Sequence, residues 1–225
     1  MKMATITNLE RNKIDRYLKD YIDIRDPNQR YASYDYCYNY FRSFVDSSKT
    51  SEIANADNMQ TSCIQLGFYL ASWGMYRGSS QILQQSAKGL EKVIQVIATT
   101  DSAMFKIDVD KYDLKTIPKI LDLKECLQAA FSHTATTTLL TKTMLGVFGC
   151  IPAFDSYFVR GSGLRTVNEH NLMEINKFYL MNQEILEKDR LKRFTLNFED
   201  EAPTQNLYTR AKMIDMIFFV AGTPK

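Results

Sequence analysis

Apolar positions recur along this chain mainly at helical spacing. Ile14, Leu18, Tyr21 and Ile22 form one stripe. It predicts a helix that begins near Asn8, which can cap it, and ends at Asp26-Pro27-Asn28, because the residue before a proline is pushed out of the α region. A second helix is predicted over residues 33–45. The polar, serine-rich stretch 46–58 (DSSKTSEIANADN) then reads as a linker or surface loop. Residues 59–75 are apolar on most sides, which predicts a central buried helix. Gly74 and Gly78 bracket a turn, after which Ser79 or Ser80 can cap a helix carrying Ile82, Leu83, Leu90, Val93, Ile94 and Ile97. A turn over 99–113 precedes a helix over 116–131, with Ile117, Ile120, Leu121 and Leu127 on one side. An apolar helix from Thr138 follows, then an amphipathic helix over 167–192, an acidic connection (NFEDEAPTQ) and a last helix over 207–220. No convincing strand pair, internal repeat or low-complexity tract is visible. The pattern predicts a compact, all-α fold of roughly eight to ten helices.

Length and composition narrow this picture only slightly. A chain of 225 residues, 45% hydrophobic and 24% charged, supports one helical domain over 1–225. That domain has one core, or two lobes with a cleft: residues 1–50 plus the C-terminal helices, and residues 59–160. A net charge of +2 gives no global basic field of the kind that announces nucleic-acid binding, although a local basic face remains compatible with it. No run of about 18 apolar residues predicts a membrane span, and the charged N-terminal stretch lacks a signal-peptide core. Cys37, Cys63, Cys126 and Cys150 are scattered without a CxxC pair, which predicts reduced thiols in a cytoplasmic protein. His133 and His170 are the only histidines, and no ligand pair has zinc-site spacing, so no metal is expected.

The chemistry-bearing stretch is TLLTKTMLGVFGCIPAFDSYFVRG, Thr138 to Gly161. An apolar helix turns through Gly149 and Pro152 and delivers one acid, Asp155, into aromatic surroundings. Burying a carboxylate costs several kcal/mol unless something offsets it, so an acid in that position is chemically informative. Ile151-Pro152-Ala153-Phe154-Asp155, with the helix of Thr138 to Lys142 before it, resembles the aspartate-bearing segment of the helix-hairpin-helix DNA glycosylase superfamily. The resemblance covers roughly residues 135–160. It implies a helical fold with a cleft, a DNA partner, no cofactor, and Asp155 as the catalytic carboxylate of a monofunctional N-glycosylase. Cleaving an N-glycosidic bond builds positive charge on the sugar, which a fixed carboxylate in low dielectric stabilises. The glycine-rich hairpin turn of that superfamily is absent from HTATTTLL. Lys142 lies too far along its helix to imply a Schiff-base lyase. The residues are equally compatible with Asp155 acting as the N-cap of the helix that starts at Ser156.

Other candidates surround this segment. Trp73, the only tryptophan, Tyr76 and the adjacent Arg77 could bind an extruded base and its backbone, as base-flipping enzymes require, or Trp73 could simply be core. In RYASYDYCYNYFRSF, Tyr36, Tyr40 and Phe44 make one helical stripe and Tyr34, Tyr38 and Phe41 another, so Tyr36 could face a ligand while the other stripe packs inward. Lys142 and Arg160 are the candidate contacts to a nucleic-acid backbone. The run Lys188 to Arg193 reads most simply as a solvated helix end. Two functions follow. One is a glycosylase-like enzyme excising a damaged or modified base, in repair or in defence against phage DNA. The other is a non-catalytic, all-α nucleic-acid- or protein-binding module.

Overall fold

In the computed structural model, residues 4–78, 80–132 and 134–224 are described. Ser79 and His133, named above as a helix cap and as a histidine, lie outside them. Among the described residues the chain forms ten α-helices: α1 (Arg11–Asp23), α2 (Ser33–Asp46), α3 (Ala56–Ser72), α4 (Glu91–Thr99), α5 (Thr116–Phe131), α6 (Thr137–Phe148), α7 (Ser156–Ser162), α8 (Glu169–Met181), α9 (Gln183–Arg190) and α10 (Arg210–Gly222). One small antiparallel hairpin, β1 (Phe194–Leu196) with β2 (Pro203–Leu207), joins α9 to α10. The fold is otherwise all-α, as the periodicity predicts. Buried side chains from nearly every helix meet in one continuous apolar cluster, in which Ile14, Phe41, Leu66, Ile120, Phe158 and Phe218 have no exposed surface.

Several boundaries differ from the sequence expectation, each for a tertiary reason. The first helix starts at Arg11 and not near Asn8 because residues 4–9 are held outside the helix by tertiary hydrogen bonds. Ile6 N–H donates to Glu174 Oε2 (3.0 Å) and Thr7 N–H donates to the Ser162 carbonyl (2.8 Å). The serine-rich stretch 46–58 is built into the fold, with Ile53 fully buried in a 3₁₀ turn over Thr50–Ala54. Short 3₁₀ turns replace the first part of the helix expected after Gly78, and α4 starts only at Glu91. The long helix expected over 167–192 breaks at Asn182, whose side chain caps back onto the Phe178 carbonyl (2.9 Å).

The hairpin is the clearest departure. Its strands lack an alternating pattern, and its register is fixed from outside. Asp35, buried in the first turn of α2, accepts Leu196 N–H (2.9 Å) and the Tyr208 hydroxyl (2.8 Å), while Arg25 reaches Asp35 (3.4 Å) and the Phe194 carbonyl (2.8 Å). Asn39 adds a bond to the Leu196 carbonyl (2.9 Å). The last helix consequently begins at Arg210 rather than 207, with Thr209 as its N-cap.

The closest helix contact sets α7 against α10, nearly backbone to backbone. A Cβ added at Gly161 would overlap the Phe218 carbonyl oxygen, and one at Gly222 would overlap that of Tyr157. At Gly146, on α6, a Cβ would overlap the ring of Tyr69, which seats α3 on α6.

Candidate active site

The site is built on the α6–loop–α7 segment. Thr136 caps α6 by accepting Leu139 N–H. The helix stops at Gly149, which is left-handed (φ 63°) and so close to Thr209 and Tyr38 that a side chain would collide. The loop that follows is pinned on both sides. Phe154 N–H donates to Thr141 Oγ1 (2.8 Å), Thr138 Oγ1 donates to the Phe154 carbonyl (3.0 Å), and Ala153 N–H donates to Asp215 Oδ1 (3.1 Å). Asp155 is therefore delivered in a fixed orientation at the N-cap of α7. Its Oδ1 accepts Tyr157 N–H (3.0 Å) and Phe158 N–H (2.9 Å).

Capping leaves Oδ2, and Lys142 fills that position. The Lys142 ammonium donates to Asp155 Oδ2 at 2.8 Å, with the two side chains only 5% and 11% exposed. This placement separates Lys142 from the phosphate-contacting role expected of it. Every residue of α6 from Leu139 to Phe148 is buried, so the ammonium meets a carboxylate and not solvent. The same ammonium lies 4.6 Å from the centre of the Trp73 ring. A second buried pair stands behind Trp73. Lys212 Nζ donates to Asp215 Oδ2 (2.9 Å) and to the Tyr21 hydroxyl (2.9 Å), 5.6 Å from the same indole ring. Asp215 thus links the two pairs, since its other oxygen holds the loop beside Asp155. Trp73 Nε1 is buried without a hydrogen-bond partner among the described residues.

Trp73 closes α3 as its C-cap and belongs to an aromatic shell. It meets Tyr31 and Phe219 edge-on (5.6 Å each), and Tyr157 packs on Phe219 (5.0 Å). Arginines sit outside this shell. The Arg30 guanidinium lies 5.1 Å from Tyr31 and 5.5 Å from Trp73, and Arg160 lies 5.8 Å from Tyr157 while donating to the Gly222 carbonyl (2.8 Å). Arg77 is exposed and folds over Gly74. All three arginines are exposed, and among the described residues none of them has a carboxylate partner, whereas the buried Lys142 and Lys212 each do.

Asp155, Lys142 and Trp73 are thus brought together, with Arg160 at the edge of the same aromatic shell. Tyr76 is half-buried with its hydroxyl close to Gly67. Tyr36 belongs elsewhere. Its hydroxyl donates to the Pro27 carbonyl (2.9 Å), and its ring lines a groove of about 590 Å³ between α2 and α3, to which Arg30 also contributes. Asp155 does not line that groove.

No family model, curated protein or solved structure matches this chain. A carboxylate fixed by three donors, two of them backbone amides, and shielded by aromatic rings is preorganised to stabilise positive charge that develops beside it. Lys142 orients the carboxylate and keeps its burial electrostatically tolerable. Among the described residues, no cluster of His, Cys, Asp and Glu has the makings of a metal site, and no helix is long and apolar enough to cross a membrane. Lys212, Asp215, Arg30 and Tyr31 escape sequence reasoning. The signal for the first two is present, because Lys212 and Asp215 are the only charges inside the otherwise apolar KMIDMIFFV.

Proposed function

We propose that this chain cleaves N-glycosidic bonds in DNA, releasing a damaged or modified base, with Asp155 as the stabilising carboxylate. The observation that carries the reading is the buried Lys142–Asp155 pair set against Trp73, with Arg30 and Arg160, which have no carboxylate partner among the described residues, at the edge of the same aromatic shell. Guanidinium groups without carboxylate partners suit phosphates, and the half-buried rings of Tyr31, Trp73 and Tyr157 are the aromatic groups nearest to hand for an extruded base. As the bond from C1′ to the base nitrogen breaks, the electron pair leaves with the base and the sugar becomes oxocarbenium-like. Asp155 faces that charge, water adds at C1′ and releases one proton to solvent, and a proton from solvent completes the departing base.

The reading is tested on a panel of single-stranded and duplex DNAs carrying damaged and hypermodified bases, scored for abasic sites. Wild type is expected to act on at least one substrate, and Asp155→Asn to lose roughly 10²–10³-fold in rate, as when a preorganised electrostatic group is removed. Equal activity of the Asp155→Asn variant removes Asp155 from the mechanism. Inactivity across the panel favours the second reading, a non-catalytic binding module. One observation supports that alternative. Three donors already satisfy Asp155, which is all that a structural cap requires.

A further inference from the structure

The groove between α2 and α3 carries features that the site around Asp155 does not use. Two large aromatic side chains stand at it almost fully in water, Phe68 at 68% and Phe198 at 74% exposure, with Ile64 at 48% beside them. Exposed apolar side chains gathered at one concavity mark a binding surface more often than singly scattered ones do. Tyr36 meets Phe198 edge-on (5.1 Å, 84°), which leaves ring faces available for stacking. Among the described residues no carboxylate lines the groove itself, although Asp26 and Glu201 lie near Tyr36; its polar groups include the amides of Asn28, Gln29 and Gln65, together with Arg30. Amide side chains can pair with the edges of a heterocycle. Among the described residues the Arg30 side chain donates only to the Tyr31 hydroxyl (3.3 Å), which leaves most of its planar fork for an anion.

We propose that this groove is a subsite for one unstacked nucleotide of a single DNA strand, a neighbour of the nucleotide presented to Asp155. The proposal rests on the DNA-directed reading above and adds a substrate class to it. Arg30 supplies the continuity: it lines the groove and also covers Trp73, whose ring lies against Lys142, the partner of Asp155. A phosphate on Arg30 would then separate a base stacked in the groove from one at the Trp73 shell. Bases inside a duplex are stacked on their own neighbours, so only single-stranded or locally opened DNA can place one here. A volume of about 590 Å³ lies within the range of pockets that hold small organic ligands and accommodates a nucleotide.

The test is the binding of a labelled, unmodified oligothymidylate to the full chain, followed by anisotropy and by the fluorescence of Trp73, the only tryptophan. Phe68→Ala and Phe198→Ala should each weaken binding roughly ten-fold, the usual scale for losing one stacking ring. Their circular dichroism spectra should stay unchanged because both side chains are exposed. Arg30→Gln should weaken binding and flatten its salt dependence. A duplex of equal length should bind less tightly than the single strand, and free thymidine monophosphate at equal concentration should not compete. Unchanged affinity in both phenylalanine variants overturns the proposal and leaves the rim as a protein-docking face. So does equal affinity for duplex and single strand, or displacement by the mononucleotide. The readout is binding to DNA that offers no base to excise, so failure of the catalytic reading leaves every arm intact.

Discussion

Breaking the Lys142–Asp155 pair from each side should have unequal and non-additive effects on stability. Removing one partner of a buried ion pair costs about 3–5 kcal/mol, because the other charge stays behind without compensation. In Asp155→Asn the cap survives, since an amide oxygen can still accept Tyr157 N–H and Phe158 N–H. The Lys142 ammonium then meets an amide and keeps only the Trp73 ring at 4.6 Å, a contact worth about 1–2 kcal/mol when desolvated. The net expectation is a loss of about 2–4 kcal/mol. For a chain of this size, that corresponds to roughly 4–16 °C in melting temperature. Lys142→Met leaves the carboxylate with both backbone donors and should cost less, about 2 kcal/mol. Replacing both groups removes the stranded charge, so the double variant should be more stable than the two single losses predict, by about 1–3 kcal/mol. Urea unfolding of the four proteins measures this cycle, provided that the slopes agree. Additivity within about 0.5 kcal/mol would refute the claim that these side chains stabilise one another.

The remaining predictions concern features away from the pair. Gly161→Ala and Gly222→Ala each force a Cβ into a carbonyl of the opposing helix, so each should destabilise by about 3 kcal/mol or more, seen as a fall in melting temperature or in soluble yield. Burial raises the Asp35 pKa from 3.8 to about 6, against the opposing pull of Arg25, Tyr208 and Leu196 N–H. A folded-state value above the unfolded one favours the folded state below the unfolded pKa, and that advantage is lost as pH rises through about 6. Wild type should therefore lose about 2 kcal/mol relative to Asp35→Asn between pH 4 and pH 7, and a flat difference would contradict this. All four cysteines are free and only Cys126 is exposed, so native alkylation should modify one thiol and denaturation without reductant should reveal four.

How far the sequence carries depends on how local the cause is. The Tyr34, Tyr38 and Phe41 stripe of α2 and the Ile117, Ile120 and Leu127 face of α5 are buried as their spacing predicts, because a helix presents those positions to one side whatever it packs against. Asp155 as an N-cap is equally local. Its partner is not, since nothing in the thirteen-residue separation from Lys142 requires the two to meet; that depends on the bend at Gly149 and on Asp215 holding Ala153. The hairpin is invisible for the same reason, as its register comes from Asp35, 161 residues from Leu196. The α3 segment misleads in the opposite direction. Its pattern, apolar on most sides, predicts a largely buried helix, yet Ile64 and Phe68 are left in water, because composition does not reveal which apolar face has no neighbour.

The tight seating of α7 on α10 has a consequence for the order in which the molecule can be made. Asp155 sits at the head of α7, and the residues that brace its loop and shell from behind, Asp215 and Phe219, are synthesised about sixty residues later. Until α10 has emerged, α7 lacks its main support, and the segment at residues 4–9 lacks a settled edge to bond to. The first and last parts of the chain therefore close on the same short helix. A ribosome-bound chain ending before residue 210 carries every group of the Lys142–Asp155 pair but not the framework that aligns it. The alignment of the Lys142–Asp155 pair is complete only once α10 has docked on α7.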